Sequence, residues 1–82
     1  MPPLPVVSGR TLIAFMEGYG YVVRRRRGNH VRLQLRNERG EWSETVPDHR
    51  EVARGTLGAI LRRMSAATGH EIEELVERLS GQ

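Results

Sequence analysis

Arginine and histidine are the residues of this chain whose types and spacing point most clearly to chemistry. The segment RRRRGNHVRLQLR, from Arg24 to Arg36, contains six arginines, a single histidine at His30 and no acidic residue. Histidine titrates near neutrality, so an imidazole can accept and release a proton without the help of a metal. Guanidinium groups bind phosphate oxygens and offset the negative charge that develops on a reacting phosphate. The segment therefore indicates contact with nucleic acid, and a proton carrier within it would suit the cleavage of RNA.

The same segment also has a plainer interpretation. Charged side chains along a strand edge deter the aggregation of sheets, and a single histidine without a partner is weak ground for catalysis. Six arginines without an intervening acid favour nucleic-acid contact over a merely solvated edge, but they do not distinguish RNA from DNA. An ordinary surface histidine in a basic RNA-binding loop therefore stays open as the alternative to a catalytic His30.

A second group of candidate residues lies at the predicted start of the second helix. Arg50 and Arg54 flank this start, and the backbone amides near Gly55 and Thr56 would point at an anion bound to the helix N-terminus. A helix cap is the more common explanation for such a glycine-threonine pair. Arg54 and Thr56 are therefore RNA-binding candidates, with the cap as the alternative.

The two remaining histidines are weaker candidates. His49, in the motif VPDH, is a second proton carrier or a turn residue, with the turn favoured, and His70 is a capping or surface residue. Because the three histidines fall on separate predicted elements and the sequence has no paired-acid motif, we expect no metal site. The sequence also has no phosphate-cradling glycine loop and no nucleophile triad, and we expect no cofactor.

The bulk composition is typical of one small domain with a modest core. The chain has 82 residues, of which 38% are hydrophobic and 28% charged, and it contains no cysteine. All 13 basic residues are arginine, and the net charge is +3. The charge is unevenly distributed, because residues 71–77 contain four glutamates and no basic residue. No stretch reaches membrane-spanning length and the N-terminus lacks a signal-peptide pattern. We therefore expect a cytoplasmic protein.

Three helices are predicted from apolar residues that recur at positions i, i+3, i+4 and i+7. Ser8 is the expected N-cap of the first helix, which ends near Gly18. The second helix begins near Arg54, and SAATG, which ends at Gly69, links it to a third helix over residues 70–80. The apolar stripes are Leu12, Phe15, Met16 and Tyr19, then Leu57, Ile60, Leu61 and Met64, then Ile72, Leu75, Val76 and Leu79.

Between the first two helices the pattern changes to that of β-strands. A first strand begins at residues 21–23, a turn at Gly28-Asn29 separates it from a second, and the loop NERG leads to a third strand that Pro47 ends. In the second strand the predicted inward residues are Val31, Leu33 and Leu35, and the outward residues are His30, Arg32, Gln34 and Arg36. Three aromatic residues are expected to pack in the core rather than stack on bases, namely Tyr19, Tyr21 and Trp42; Trp42 shares its strand face with Val46.

The predicted element order is α-β-β-β-α-α. An antiparallel meander must bury one face, and the three apolar helix stripes are its obvious cover. The sequence therefore predicts a two-layer α+β fold whose second sheet face is open and polar. We expect a single domain over residues 1–82, with its core at about 8–66 and a C-terminal helix at about 70–80.

Four motifs follow one another along the chain: SGRTLIAFMEGYGY, RRRGNH, TVPDH and ARGTLGAILRRM. In this order and spacing they resemble the HicA-type (YcfA-like) toxins of bacterial HicAB toxin–antitoxin modules. The resemblance covers residues 6–64 closely and the third helix more loosely. It implies a fold like that of the double-stranded-RNA-binding domain and a metal-independent mRNA endoribonuclease that arrests translation. It also implies a HicB antitoxin as partner, through which alone DNA would be contacted.

The resemblance also implies roles for individual residues. The family's catalytic histidine follows a glycine at the first strand turn and corresponds to His30, with Asn29 in place of the commoner serine. The family's VP-x-H motif ends at His49, a candidate accessory residue, and its helix start corresponds to residues 55–57. The residues expected to bind RNA are Arg24, Arg25, Arg26, Arg27, Gly28, Asn29, Arg32, Arg54 and Thr56.

Three functions follow, in order of expectation. The first is a ribonuclease toxin in which His30 is the base, because attack by a neighbouring 2′-OH needs one well-placed imidazole and cationic surroundings. Such a reaction would leave 2′,3′-cyclic phosphate ends, and acidic residues of an antitoxin would suit the same surface. The second is a non-catalytic RNA-binding module of the same fold, and the third is a DNA-contacting subunit of a repressor complex.

Overall fold

The computed structural model describes residues 3–81, and its elements follow the predicted order. The elements are α1 (Gly9–Glu17), β1 (Val22–Arg27), β2 (His30–Asn37), β3 (Gly40–Pro47), α2 (Arg54–Thr68) and α3 (Ile72–Ser80). The three strands form one antiparallel sheet in the order β1-β2-β3. The α+β fold class and the order of elements expected from the sequence are confirmed.

The core lies between the helices and one face of the sheet, as the apolar stripes predict. The inward side chains of β2 are at most 4% exposed: Val31, Leu33 and Leu35. The helix residues buried against them include Leu12, Phe15, Met16, Leu57, Ile60, Leu61, Met64, Leu75, Val76 and Leu79. Tyr21 is buried as well, and Tyr19, Trp42 and Ile72 pack partly buried against the same core. The opposite face of the sheet is left open.

α2 starts at Arg54, as predicted, but its C-terminal end and its N-cap differ from the prediction. Residues 65–68, predicted as part of a link, form the last turn of this helix, and Gly69 ends it with a φ of 81°. The Nδ2 of Asn37, at the turn between β2 and β3, donates a hydrogen bond of 3.0 Å to the carbonyl of Ala67. At the other end the N-cap is Ala53, whose side chain makes no capping hydrogen bond, so the cap predicted at residues 55–56 is wrong.

The start of the third helix also lies later than predicted. The helix begins at Ile72 with Glu71 as its N-cap, so His70 precedes the helix and does not cap it. The Nδ1 of His70 lies 2.9 Å from Oε2 of Glu74, and its ring contacts that of Tyr19 edge to face. His70 therefore belongs to the contact between α3 and the end of α1.

A buried acid on β3 was not anticipated from the sequence. Glu44 points inward between Trp42 and Val46 and is only 3% exposed. Its carboxylate accepts hydrogen bonds from Nε of Arg63 at 2.8 Å and from the NH2 group at 2.8 Å. The guanidinium of Arg63, half exposed at the surface of α2, thus ties this helix to the edge strand.

Replacing Arg63 with alanine is expected to lower the free energy of unfolding by about 2–3 kcal/mol. The change leaves the buried carboxylate of Glu44 without its partner. The loss of stability is smaller than that for breaking a fully buried ion pair, because water reaches Arg63. Arg62→Ala, at the exposed neighbouring arginine, is the matched control and should change stability by no more than about 0.5 kcal/mol. Urea unfolding of both variants measures these losses. In a Glu44→Leu background, where no carboxylate is left unpaired, Arg63→Ala should change the free energy of unfolding little. Equal losses for the two arginines would contradict the assignment.

Tyr21 provides a pH-dependent contribution to stability. Its hydroxyl is buried without a hydrogen-bond partner among residues 3–81, and burial followed by the charge of Glu44 raises its pKa to about 12. The unfolded chain therefore loses this proton first, and the free energy of unfolding falls as the pH rises from about 10 to 12. The expected loss by pH 12 is on the order of 2 kcal/mol.

Urea unfolding between pH 9 and 12 checks this expectation. Tyr21→Phe should remove most of the alkaline loss and leave stability at pH 7 unchanged or higher, because the unpartnered hydroxyl is gone. Tyr19→Phe, at the other tyrosine, should retain the loss. An identical alkaline decline in the wild type and in Tyr21→Phe would rule out Tyr21 as its source.

Candidate nucleic-acid interface

His30 begins β2 immediately after a tight turn. The last residue of β1, Arg27, pairs with His30, so only Gly28 and Asn29 form the loop. Gly28 has a φ of 58°, whereas Asn29 has a negative φ. A positive φ at the first loop residue alone is typical of a type II′ hairpin, whose twist matches that of the flanking strands. The turn thereby fixes His30 at the end of the sheet.

Strand alternation brings three arginines to the open face beside His30. The register pairs Arg25 with Arg32 and Arg27 with His30. All four side chains are exposed, and they lie on the face opposite the buried residues of β2. The outward placement of His30 and Arg32 agrees with the predicted alternation.

The other two members of the arginine run are placed differently. Arg26 pairs with Val31, whose side chain is buried, so Arg26 lies on the helix-covered side. Its NH1 lies 3.8 Å from Oδ2 of Asp48. Arg24 falls at a register shift between β1 and β2, and its Nε donates a hydrogen bond of 3.1 Å to Oε1 of Gln34. The run therefore does not form one continuous cationic surface.

A shallow pocket of about 150 Å³ on the open face contains the convergent residues. The residues that line it are Arg25, Arg27, His30, Arg32 and Thr45. None of its arginines forms an ion pair within residues 3–81, whereas Arg36, further along the face, lies 3.3 Å from Glu41. Positive charge without a compensating carboxylate is thus concentrated around the imidazole. Such a site suits a phosphate group.

Backbone hydrogen bonds hold the hairpin against the rest of the fold. The N–H of Asp48 donates to the carbonyl of Asn29 at 2.6 Å, directly before His30. One residue later, the carbonyl of His49 accepts from the N–H of Gly9 at 2.9 Å. The segment after β3 therefore connects the turn that carries His30 to the N-terminus of α1, where Ser8 forms the predicted cap by accepting from the Thr11 N–H.

The remaining sequence candidates lie outside the pocket. Arg54 and Thr56 are exposed in the first turn of α2, and His49 is exposed in the segment before it. Thr45, by contrast, lines the pocket but was missed. It stands opposite Arg32 in the pairing of β2 with β3, and the alternation of EWSETV already places it away from Trp42 and Val46. The alternation thus predicts its outward placement, but an uncharged hydroxyl is not by itself a sign of a phosphate site.

No helix within residues 3–81 is both long and apolar enough to cross a membrane. The same part of the chain has no cluster of three or more histidine, aspartate or glutamate side chains with metal-ligating geometry.

The fold and the pocket define a class, a small α+β protein that presents an exposed histidine among arginines on the open face of its sheet. A protein-family model described as the HicA toxin of bacterial toxin-antitoxin matches residues 9–65, more than half of the chain. The chain belongs to the HicA toxin family: it is the toxin of a toxin–antitoxin module, and an antitoxin partner is implied. No curated protein and no solved structure matches it significantly. The matched residues contain the whole pocket, whereas α3 lies beyond them.

Proposed function

We propose that this toxin is a metal-independent endoribonuclease that cleaves mRNA in the cytoplasm, with His30 as its catalytic base. The observation that carries the proposal is the pocket in which His30 is surrounded by three arginines without carboxylate partners in the described chain. Family membership supports the proposal, because these proteins are toxins and the matched residues include His30.

The proposed reaction is an internal transfer at phosphorus. The neutral imidazole of His30 takes the proton of a ribose 2′-OH, the 2′ oxygen forms a bond to phosphorus, and the bond to the 5′ oxygen breaks. The leaving 5′ oxygen takes a proton from water. The guanidinium groups of Arg25, Arg27 and Arg32 offset the charge that develops on the phosphate oxygens. The products are a 2′,3′-cyclic phosphate and a 5′-hydroxyl end.

The other residues predicted to contact RNA have separate roles in this proposal. Arg24 flanks the pocket, and Gly28 and Asn29 shape the turn next to the phosphate. Arg54 and Thr56 form a second phosphate contact at the N-terminus of α2, where free backbone amides favour anions. Arg26, on the other side of the sheet and 3.8 Å from Asp48, stays a predicted RNA contact outside this pocket.

The proposed partner is a HicB-type antitoxin that neutralises the toxin by covering the pocket. The open face carries net positive charge around His30, so acidic side chains of the antitoxin would complement it and exclude the phosphate. Inhibition would then follow from occupation of the RNA site, without a change in the toxin's fold.

A cleavage assay in the presence of a chelator tests the proposal. Wild-type protein with excess EDTA should cut purified mRNA, and its expression should arrest growth until the antitoxin is supplied. The alternative, a non-catalytic RNA-binding module, is favoured by the absence of a hydrogen-bonded partner for the His30 ring within residues 3–81. RNA that is bound but stays intact would establish that alternative, and cleavage that stops with EDTA would overturn the metal-independent mechanism.

A further inference from the structure

The open face has a second organised feature beside its arginines. β3 contributes two exposed hydroxyl residues to this face, because Thr45 stands opposite Arg32 and Ser43 stands opposite Gln34. Thr45 lines the pocket, and its hydroxyl forms no hydrogen bond with the part of the chain that the structure describes. A donor and acceptor without a protein partner is therefore available at the edge of a phosphate site.

The residues of the pocket fall into two rows across the sheet. One row contains Arg27 and His30, and the next contains Arg25, Arg32 and Thr45. Neighbouring same-face positions on a strand are about 7 Å apart, twice the rise per residue. This separation is comparable to that of consecutive phosphates along an extended nucleic-acid strand. Each row supplies its own cations, so the face can hold two phosphates of one strand.

The face also limits how much nucleic acid it accepts. Beyond the two rows, Glu41 accepts a hydrogen bond of 2.6 Å from Gln34 and lies 3.3 Å from Arg36. The carboxylate neutralises that arginine and disfavours a third phosphate. A duplex would need cationic contacts to two backbones, which are recognised across a minor groove. The compact cationic cluster at one end of the face suits a single backbone.

The chemistry proposed for His30 also favours an unpaired strand. Internal attack requires the 2′ oxygen, the phosphorus and the leaving 5′ oxygen to approach a straight line. A stacked A-form helix holds these atoms away from that arrangement, whereas an unpaired strand can rotate into it. Sequence-specific proteins likewise recognise mainly unpaired RNA.

We infer that the open face binds one unpaired RNA strand through two successive phosphates, with Thr45 as a residue that distinguishes RNA from DNA. The scissile phosphate lies at the row of Arg27 and His30, and the adjacent phosphate lies between Arg25 and Arg32. The Thr45 hydroxyl bonds the ribose 2′-OH of the neighbouring nucleotide, not the one that reacts. This inference rests on the proposed function for its assignment of the scissile phosphate.

Binding measurements separate this inference from cleavage. Fluorescence anisotropy with His30→Ala protein, which should bind without cutting, compares a labelled RNA oligomer alone, the same RNA annealed to its complement, and DNA of the same sequence. Unpaired RNA should bind more tightly than the duplex by a factor of about ten or greater. Equal or tighter binding of the duplex, or no binding of unpaired RNA, would overturn the inference.

Variants of the face test the two parts of the site. Arg25 and Arg32 share one phosphate in this proposal, so the double variant with alanine at both positions should reduce the slope of log affinity against log salt by about one phosphate contact, or roughly 0.7 for a single strand. Arg36→Ala is the matched control, because Arg36 is already paired with Glu41, and it should leave the slope nearly unchanged. Equal slopes for the double variant and for Arg36→Ala would exclude the second phosphate and with it the two-phosphate register.

Thr45→Val removes the hydroxyl while keeping the shape of the side chain. It should weaken binding of unpaired RNA by about two- to tenfold, the effect of one neutral hydrogen bond, and leave binding of DNA unchanged. Ser43→Ala is the control and should preserve the preference for RNA. An unaltered RNA-to-DNA ratio in Thr45→Val would refute its role. Single-stranded RNA that wild-type protein binds but does not cut would instead contradict only the proposed ribonuclease activity.

Discussion

Replacing His30 with alanine is expected to reduce RNA cleavage by about 10²–10⁴-fold, the usual contribution of a positioned general base. In the proposed mechanism the imidazole is the proton acceptor, and the other charged side chains of the pocket are arginines, which have no acceptor atom to replace it. Affinity for RNA should fall far less, because the arginines proposed to bind phosphate remain. The measurement is the single-turnover cleavage rate of a labelled RNA at saturating protein.

The two other histidines are natural controls for this expectation. His49→Ala and His70→Ala should each retain cleavage within about tenfold of the wild type, because neither side chain lines the pocket. A loss of similar size in His49→Ala would make it an accessory catalyst, as the family motif suggests. Undiminished cleavage by His30→Ala would exclude His30 as the base.

Replacing Gly9 with alanine is expected to lower the free energy of unfolding by about 3 kcal/mol, at the upper end for an overpacked site. A Cβ on Gly9 would fall on the carbonyl oxygen of Pro47 and within 2.7 Å of the Cα of Asp48. Both are backbone atoms, so no flexible side chain can move aside. Because Asp48 also holds the carbonyl of Asn29, the displacement should reach His30 and reduce cleavage at least tenfold.

Gly55→Ala is the matched control for this change. No atom lies within 4 Å of the Cβ position at Gly55, in the first turn of α2. Alanine there should raise stability by about 0.4–1 kcal/mol, because it restricts the unfolded chain without strain in the helix. Urea unfolding of both variants checks the pair. A Gly9→Ala protein as stable as the wild type would show that α1 does not constrain the segment after β3.

Regular alternation made the position of His30 predictable from the sequence. The inward face of β2 is defined by Val31, Leu33 and Leu35. Because successive side chains of a strand alternate between the two faces, His30 and Arg32 must point outward. The turn at Gly28-Asn29 was predictable for the same local reason, since glycine readily adopts the positive φ that the hairpin needs.

The arginine run itself could not be divided by the same reasoning. Four identical residues carry no hydrophobic alternation, so nothing in the sequence marks Arg26 as facing the helices or Arg24 as lying at an irregularity. The division depends on pairing with β2 and on Asp48, more than twenty residues away in the chain. Long-range pairing therefore decides which arginines lie on the open face beside His30.

Tertiary partners also explain the other differences. Glu44 is buried because Arg63 of a later helix satisfies its carboxylate, whereas an isolated acid in a strand is ordinarily expected at the surface. The longer second helix depends in part on Asn37 at the turn between β2 and β3, whose side chain donates a hydrogen bond to the carbonyl of Ala67 in the last turn of α2. Local propensity alone does not contain either contact.

The chemical identity of the cleavage products tests the central claim most directly. Wild-type protein with EDTA is incubated with a defined RNA, and mass spectrometry identifies the new ends. The same RNA with a single 2′-deoxy nucleotide on the 5′ side of the cleavage position is the matched control. If His30 activates a 2′-OH, the ends are 2′,3′-cyclic phosphate and 5′-hydroxyl, and the deoxy substrate stays intact. Ends with 3′-hydroxyl and 5′-phosphate, or cleavage of the deoxy substrate, would contradict the account.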